Sequence, residues 1–213
     1  MTQSRDERKP SVDAAAGPRP GRPNRRHPNP PIPARTPQDI AMSDPTEPRP
    51  MTRADLMARL AELGIATTTI EHEAVFTVAE STKLERELTG GHTKNLFLKD
   101  AKDRLFLLVA ESHTQIDLKA LPKVIGSARL SFGKPDLLLQ VLGVTPGSVT
   151  AFAIANDTVG RVTVFIDKAL MRHDTINCHP LENTATTNIA RDDLLRFIRA
   201  TGHEPHVIDP AAT

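Results

Sequence analysis

The 213-residue sequence predicts an α+β fold: a single compact domain with a mixed, mostly antiparallel sheet flanked by helices, preceded by a disordered tail. Three observations carry this expectation. Residues 1–50 hold 12 of the 18 prolines, and nine Arg/Lys against six Asp/Glu, with almost no large apolar residues. Beyond residue 50, helical and β-branched segments alternate without a βαβ repeat. Finally, "NLFLKDAKDRLFLLVA" sets two apolar runs on either side of a polar hexapeptide, the pattern of a β-hairpin.

Each element has its own reason. Residues 1–50 cannot bury enough apolar surface to offset the entropy of ordering them, so a polyproline-prone tail is expected there, with 51–213 as the folded domain. Met42 and Met51 just ahead of the globular pattern leave a second explanation open, a translation start placed too early. Thr52 suits the N-cap of a helix over 53–63, with Leu56, Leu60 and Leu63 on one face and Gly64 as its terminator. The β-branched "TTTIEHEAVF" reads as extended, and a helix is expected over Val78–Leu88. After the hairpin come a short helix near Leu118–Leu121, a strand near Ala128–Phe132 and a helix over Pro135–Leu142. Strands over Val149–Ala153 and Val162–Asp167 follow, then the alternating "ENTATTNI", and a closing helix spans Asp192–Ala200.

Composition excludes several classes of function. No run is long and apolar enough for a membrane span, and no apolar core of a secretory signal opens the chain, so a soluble, cytoplasmic protein is expected. The single cysteine, Cys178, rules out an internal disulfide framework. Removing the nine basic and six acidic residues of 1–50 from totals of 27 and 26 leaves 18 and 20, a formal charge of −2 on the domain. A protein held to nucleic acid by general phosphate attraction is normally basic, so any such contact here is local.

Cys178 and His179 are neighbours in an extended segment, where successive side chains point to opposite faces, so they do not form a nucleophile and its base. The eight histidines are scattered, with neither CxxC nor HExxH, and no metal or cofactor is expected. GxSxG, GxxxxGK[ST] and GxGxxG are also missing.

Three polar clusters remain. In "GGHTKNLFLKD", Lys94 offers a point charge for a phosphate and Asn95 both a donor and an acceptor, where a Gly-rich loop enters a strand. Taken alone, the cluster is a weak signal, and a solvated lysine and a turn-forming asparagine are the plainer explanation. In "LGVTPGSVTAF", Thr145-Pro146-Gly147-Ser148 fits a type II turn, and Gly143 and Gly147 permit close approach of a ligand, though a plain connector needs the same residues. In "CHPLENTATTNI", Pro180 biases His179 toward an extended conformation, from which it orients a substrate or serves structure alone.

Together and in this order, "GGHTKNLFLKD", "GVTPGSVTAFAIAND" and "CHPLENTATTNI" resemble the free-standing deacylases of the YbaK and prolyl-tRNA synthetase insertion-domain superfamily, in particular the alanyl-tRNA(Pro) deacylase branch, ProXp-ala or PrdX. The resemblance spans about Met51–Asp209 and says nothing of residues 1–50. One departure is Ala151, where the family pattern has proline. The resemblance implies a YbaK-like fold and a trans-editing hydrolase that cleaves the ester of mischarged tRNA(Pro), alanyl-tRNA(Pro) foremost. It implies that Lys94 anchors the phosphate or ribose of the 3′-terminal nucleotide, and that Asn95 holds the amino group or the water. Gly143, Pro146, Gly147 and Ser148 form a backbone wall, and His179 positions substrate with Thr184 beside it. The expected partners are the acceptor end of tRNA(Pro) and prolyl-tRNA synthetase. Two other readings stay open: deacylation of another small mischarged residue, cysteine or serine, and a non-catalytic module that binds a tRNA 3′ end or a synthetase.

Overall fold

The structure is a computed structural model that describes residues 49–73 and 88–211. All but the last two residues of the expected tail, and the expected helix over Val78–Leu88 up to Leu88, lie outside the described residues.

The described chain opens on helix α1 (Arg53–Glu62). Its N-terminus is fixed by a capping box, in which the Thr52 hydroxyl accepts from Asp55 N at 3.3 Å and Asp55 Oδ2 accepts from Thr52 N at 2.8 Å. Leu56 and Leu60 are its buried face. Strand β1 (Thr67–Glu71) follows, then β2 (Gly91–Asp100) and β3 (Leu105–Glu111), the expected hairpin. The turn between them is held by Asp100, which accepts from Lys102 N, Arg104 N and Ala128 N. Burial pushes the Asp100 carboxyl up, but these donors outweigh it and bring the pKa down to about 2.

Helix α2 (Leu121–Ile125), β4 (Leu130–Phe132), α3 (Pro135–Leu142), a 3-10 helix over Ala151–Asn156, β5 (Val162–Asp167) and a second 3-10 helix over Lys168–Arg172 come next. The chain then forms β6 (Thr175–Cys178), β7 (Ala185–Ala190), α4 (Arg191–Ala200) and β8 (Pro205–Ile208). The strand order is β1-β7-β6-β2-β3-β5-β8, with β4 on a separate stretch of β2. The pairs β1/β7, β6/β7, β2/β3 and β2/β4 are antiparallel, while β2/β6, β3/β5 and β5/β8 are parallel, so the sheet is mixed as expected.

One feature of this topology positions the site. Along one edge, β2 pairs with β6 only through Gly91 and His92, and with β4 only through Leu98–Asp100. Among the described residues the sheet therefore forks beside 93–97. The double glycine at the start of β2 allows the close approach to β6: Gly90 has φ 104°, and a Cβ there would lie 2.5 Å from Thr175 Oγ1.

The core lies on both faces of the hairpin. Phe97, Leu105, Leu107 and Val109 join the larger cluster with α1, α3, α4 and the first 3-10 helix. Leu98, Phe106, Leu108 and Ala110 join the smaller one, covered by Leu121 of α2. All of β3 except Glu111 is buried, which is why it reads as an unbroken apolar run.

The structure departs from the sequence expectation in places. The expected strand over Val149–Ala153 is instead the 3-10 helix Ala151–Asn156, its N-cap Thr150 accepting from Phe152 N. Ala151, Phe152, Ala153 and Ile154 are all buried, and such a short continuous apolar run carries no period to separate strand from helix. Ala151 is thus the first helical residue, a position proline favours. The short helix begins at Leu121 rather than ending there, and β6 and β8 are additional strands of four residues each.

Candidate active site

Thr93 and Asn95 stand on the stretch of β2 beside the fork and are half-buried. Strand alternation sends these two toward the same face as Phe97, and Lys94 toward the opposite face with Leu96 and Leu98. The Thr93 hydroxyl lies 2.9 Å from Asn177 O, and a carbonyl oxygen only accepts, so the hydroxyl proton is committed there. Toward Asn95 the Thr93 oxygen is therefore an acceptor, and the atom facing it at 3.4 Å is Nδ2. This fixes the amide: Oδ1 points the other way, buried and without a hydrogen-bond partner among the described residues. A buried acceptor left empty is costly, and its complement is a donor from an ordered water or a ligand.

His179 follows β6 directly. Its Nδ1 faces Ala185 O at 3.2 Å, so Nδ1 carries the proton, and in the neutral ring Nε2 presents a lone pair. Burial holds the imidazole below its ordinary pKa, the Ala185 carbonyl opposes that shift, and the neighbouring His72 adds to it. Cys178 faces the core at 1% exposure, and burial pushes its thiol up to about 12, so it offers no thiolate near neutral pH.

The turn at Thr145–Ser148 has the expected form, with Ser148 N donating to Thr145 O at 3.0 Å and Gly147 at φ 93°. It stands against the loop that joins β6 to β7: a Cβ on Gly147 would lie 3.9 Å from Asn183 Nδ2. Pro146 is exposed and Ser148 buried. Thr184, in the same loop, is exposed and accepts from His72 N at 2.9 Å. His179, Thr184, Pro146, Gly147 and Ser148 thus belong to two facing loops, and Asn95 is tied to the root of one of them through Thr93 and Asn177.

Lys94 and Gly143 stand apart from this group. Lys94 Nζ donates to Ser112 O at 2.9 Å and to Thr114 O at 2.5 Å, beyond the end of β3, which leaves one of its three N–H bonds for another acceptor. Gly143 caps α3 in the left-handed conformation against Pro50 and Asn156. Thr93, Asn183 and His72 were not singled out from the sequence. Thr93 lies within the quoted "GGHTKN" and Asn183 within "ENTATT", but their partners come from distant segments and leave no trace in spacing.

The arrangement offers an unfilled acceptor and a lone-pair nitrogen on a neutral ring, with no activated nucleophile among the described residues. Among the described residues no three His, Cys, Asp or Glu side chains converge as a ligand set for a metal ion, and no helix is long and apolar enough to cross a membrane. Such a site suits hydrolysis of an already activated bond by a positioned water.

The family described as "Aminoacyl-tRNA editing domain" matches residues 72–197. The chain is 40% identical over 149 residues to the "Prolyl-tRNA editing protein ProX" of Acetoanaerobium sticklandii, covering 70% of this chain and 91% of that protein. It is 41% identical over 158 residues to the "Prolyl-tRNA synthetase associated domain-containing protein 1" of Danio rerio, covering 73% and 86%. Its fold is similar to a crystal structure described as that of a candidate trans-editing enzyme for prolyl tRNA synthetase, with a TM-score of 0.57 at 16% identity, covering 74% of this chain and 96% of that one.

Proposed function

The chain belongs to the aminoacyl-tRNA editing domain family, and from that premise we propose that it removes mischarged amino acids from tRNA(Pro), with alanyl-tRNA(Pro) as its preferred substrate. The observation that carries this reading is the empty, buried Oδ1 of Asn95, held in place by Thr93. An α-amino group is a donor of the right kind for it.

The ester between an amino acid and the 3′-terminal ribose is activated. A water oxygen bonds to the carbonyl carbon, the carbon–oxygen bond to the ribose breaks, and the water's proton ends on the released hydroxyl. In this reading Asn95 holds the amino end and His179 Nε2 accepts from the attacking water or from the substrate. The backbone of Pro146, Gly147 and Ser148 walls the side chain, with Thr184 at the rim. Lys94, with one donor still free, meets the terminal phosphate or ribose from the other face of β2. Gly143 supports the wall as the cap of α3 rather than by contact.

Selection by size gives the activity its purpose. A synthetase pocket built for proline rejects the smaller alanine by only about 1–3 kcal/mol per methylene, so a second, tighter site improves accuracy. The tRNA(Pro) acceptor end is then the partner, and prolyl-tRNA synthetase, which releases the mischarged product, a further one.

Incubation with alanyl-, cysteinyl-, seryl- and prolyl-tRNA(Pro), and with alanyl-tRNA(Ala), tests the reading. Alanyl-tRNA(Pro) should be hydrolysed fastest, with prolyl-tRNA(Pro) and alanyl-tRNA(Ala) spared. Faster release of cysteine or serine would reassign the substrate, and binding without hydrolysis would leave a recognition module.

A further inference from the structure

A second imidazole stands beside His179. His72 is the first residue after β1, and its ring centroid lies 6.4 Å from that of His179, with the planes inclined at 56°. Among the described residues its hydrogen bonds run to the entry of β7 and to its own neighbour. His72 N donates to Thr184 O at 2.9 Å, Nδ1 faces Glu73 O at 2.7 Å, and Nε2 faces Thr186 Oγ1 at 2.9 Å. Because the Glu73 carbonyl only accepts, Nδ1 carries the proton of the neutral ring, and Nε2 takes the hydroxyl proton of the buried Thr186.

His179 meets the same stretch from its own side, donating from Nδ1 to Ala185 O, the residue between Thr184 and Thr186. Two histidines therefore grip three consecutive residues. The direction of the Ala185 carbonyl decides which nitrogen of His179 is protonated, and His72 fixes the residues on either side of that carbonyl. Among the described charged groups nearby, Arg53 pairs with Glu71, which precedes His72, and with Glu182 of the β6–β7 loop.

We propose that His72 is a positioning residue for the deacylation, holding Thr184–Thr186 so that Ala185 keeps His179 protonated on Nδ1 and open at Nε2. The proposal rests on the deacylase reading for its catalytic consequence, while its structural half can be read without substrate. A strand-end clip with no further role would stabilise β1 against β7 but leave the tautomer of His179 indifferent to its removal.

The test uses the full chain labelled with 15N, whose long-range imidazole correlations report the tautomer of each histidine, with His179→Gln assigning the signal. The wild-type His179 should show the Nδ1-protonated form. His72→Ala should give mixed tautomers and slow single-turnover hydrolysis of alanyl-tRNA(Pro) about tenfold at unchanged KM, as expected for a small misplacement of a reacting group. His72→Gln, which can still accept from Thr186, should restore most of both. If His72→Ala fails to fold, Thr186→Val, of the same shape without the hydroxyl, should reproduce the tautomer change. Wild-type tautomer and rate in both His72→Ala and Thr186→Val would overturn the proposal. Failure of the wild-type protein to hydrolyse any aminoacyl-tRNA would instead remove the deacylase reading, and the substrate-free tautomer measurement would still decide whether His72 orients His179.

Discussion

Asn95 owes its orientation to a single proton. The Thr93 hydroxyl gives that proton to Asn177 O, and the amide has no choice but to turn Nδ2 toward Thr93 and Oδ1 away. His179 is set in a parallel way by a carbonyl, and burial keeps it neutral. The sign of that shift gives a pH dependence. With its pKa below the ordinary 6.5, the ring stays neutral above that pH, and protonation on the acid side turns Nε2 from acceptor to donor. The enzymatic rate, corrected for spontaneous ester hydrolysis, should fall on the acid side with a midpoint below the ordinary 6.5. A midpoint at or above 6.5 in a pH–rate profile would contradict this protonation state. At this scale the sequence made Asn95 and His179 legible, since both sit in quoted motifs. Thr93 and His72 were not, because each acts through a partner more than 80 residues away, Asn177 for Thr93 and Thr186 for His72.

Among the elements, those with a strong period or a clear cap were legible. The capping box at Thr52 and the hairpin turn at Asp100 both have their signal in adjacent residues. The four-residue strands β6 and β8 did not, since pairing with distant strands rather than local propensity makes them extended. The 3-10 helix is the most instructive departure. Phe152 meets Phe197 of α4 edge-on, with centroids 5.3 Å apart and planes at 86°, and both are fully buried. This packing joins the connection after the Thr145–Ser148 turn to the closing helix. Phe152→Ala should therefore destabilise the fold by about 3–5 kcal/mol in denaturant titration. A loss under 1 kcal/mol would mean that the turn is anchored by something else.

At the scale of the molecule, the described chain is held together by its own contacts from its first residues onward. The described chain is already fastened at Arg49, paired with Asp55 at 2.6 Å, and at Met51, whose N–H donates to Asn156 Oδ1 at 2.7 Å. A chain shortened to begin at Arg49 should keep its thermal midpoint and its rate at saturating tRNA. Because residues 1–48 carry eight basic and six acidic groups, KM for tRNA should rise on shortening, and only at low salt, where screening is weak. A fall in kcat would place residues 1–48 in the active site. The central claim is that this protein hydrolyses an aminoacyl ester by positioning, with the amide of Asn95 in contact with substrate and the thiol of Cys178 silent. Single-turnover hydrolysis of alanyl-tRNA(Pro) by the wild type, Asn95→Ala and Cys178→Ala tests it most directly. The account predicts a loss of about ten- to a hundredfold for Asn95→Ala, the cost of one contact to a charged group in a sheltered site, and a rate within about twofold of wild type for Cys178→Ala. Full activity without the Asn95 amide, or none without the Cys178 thiol, would contradict it.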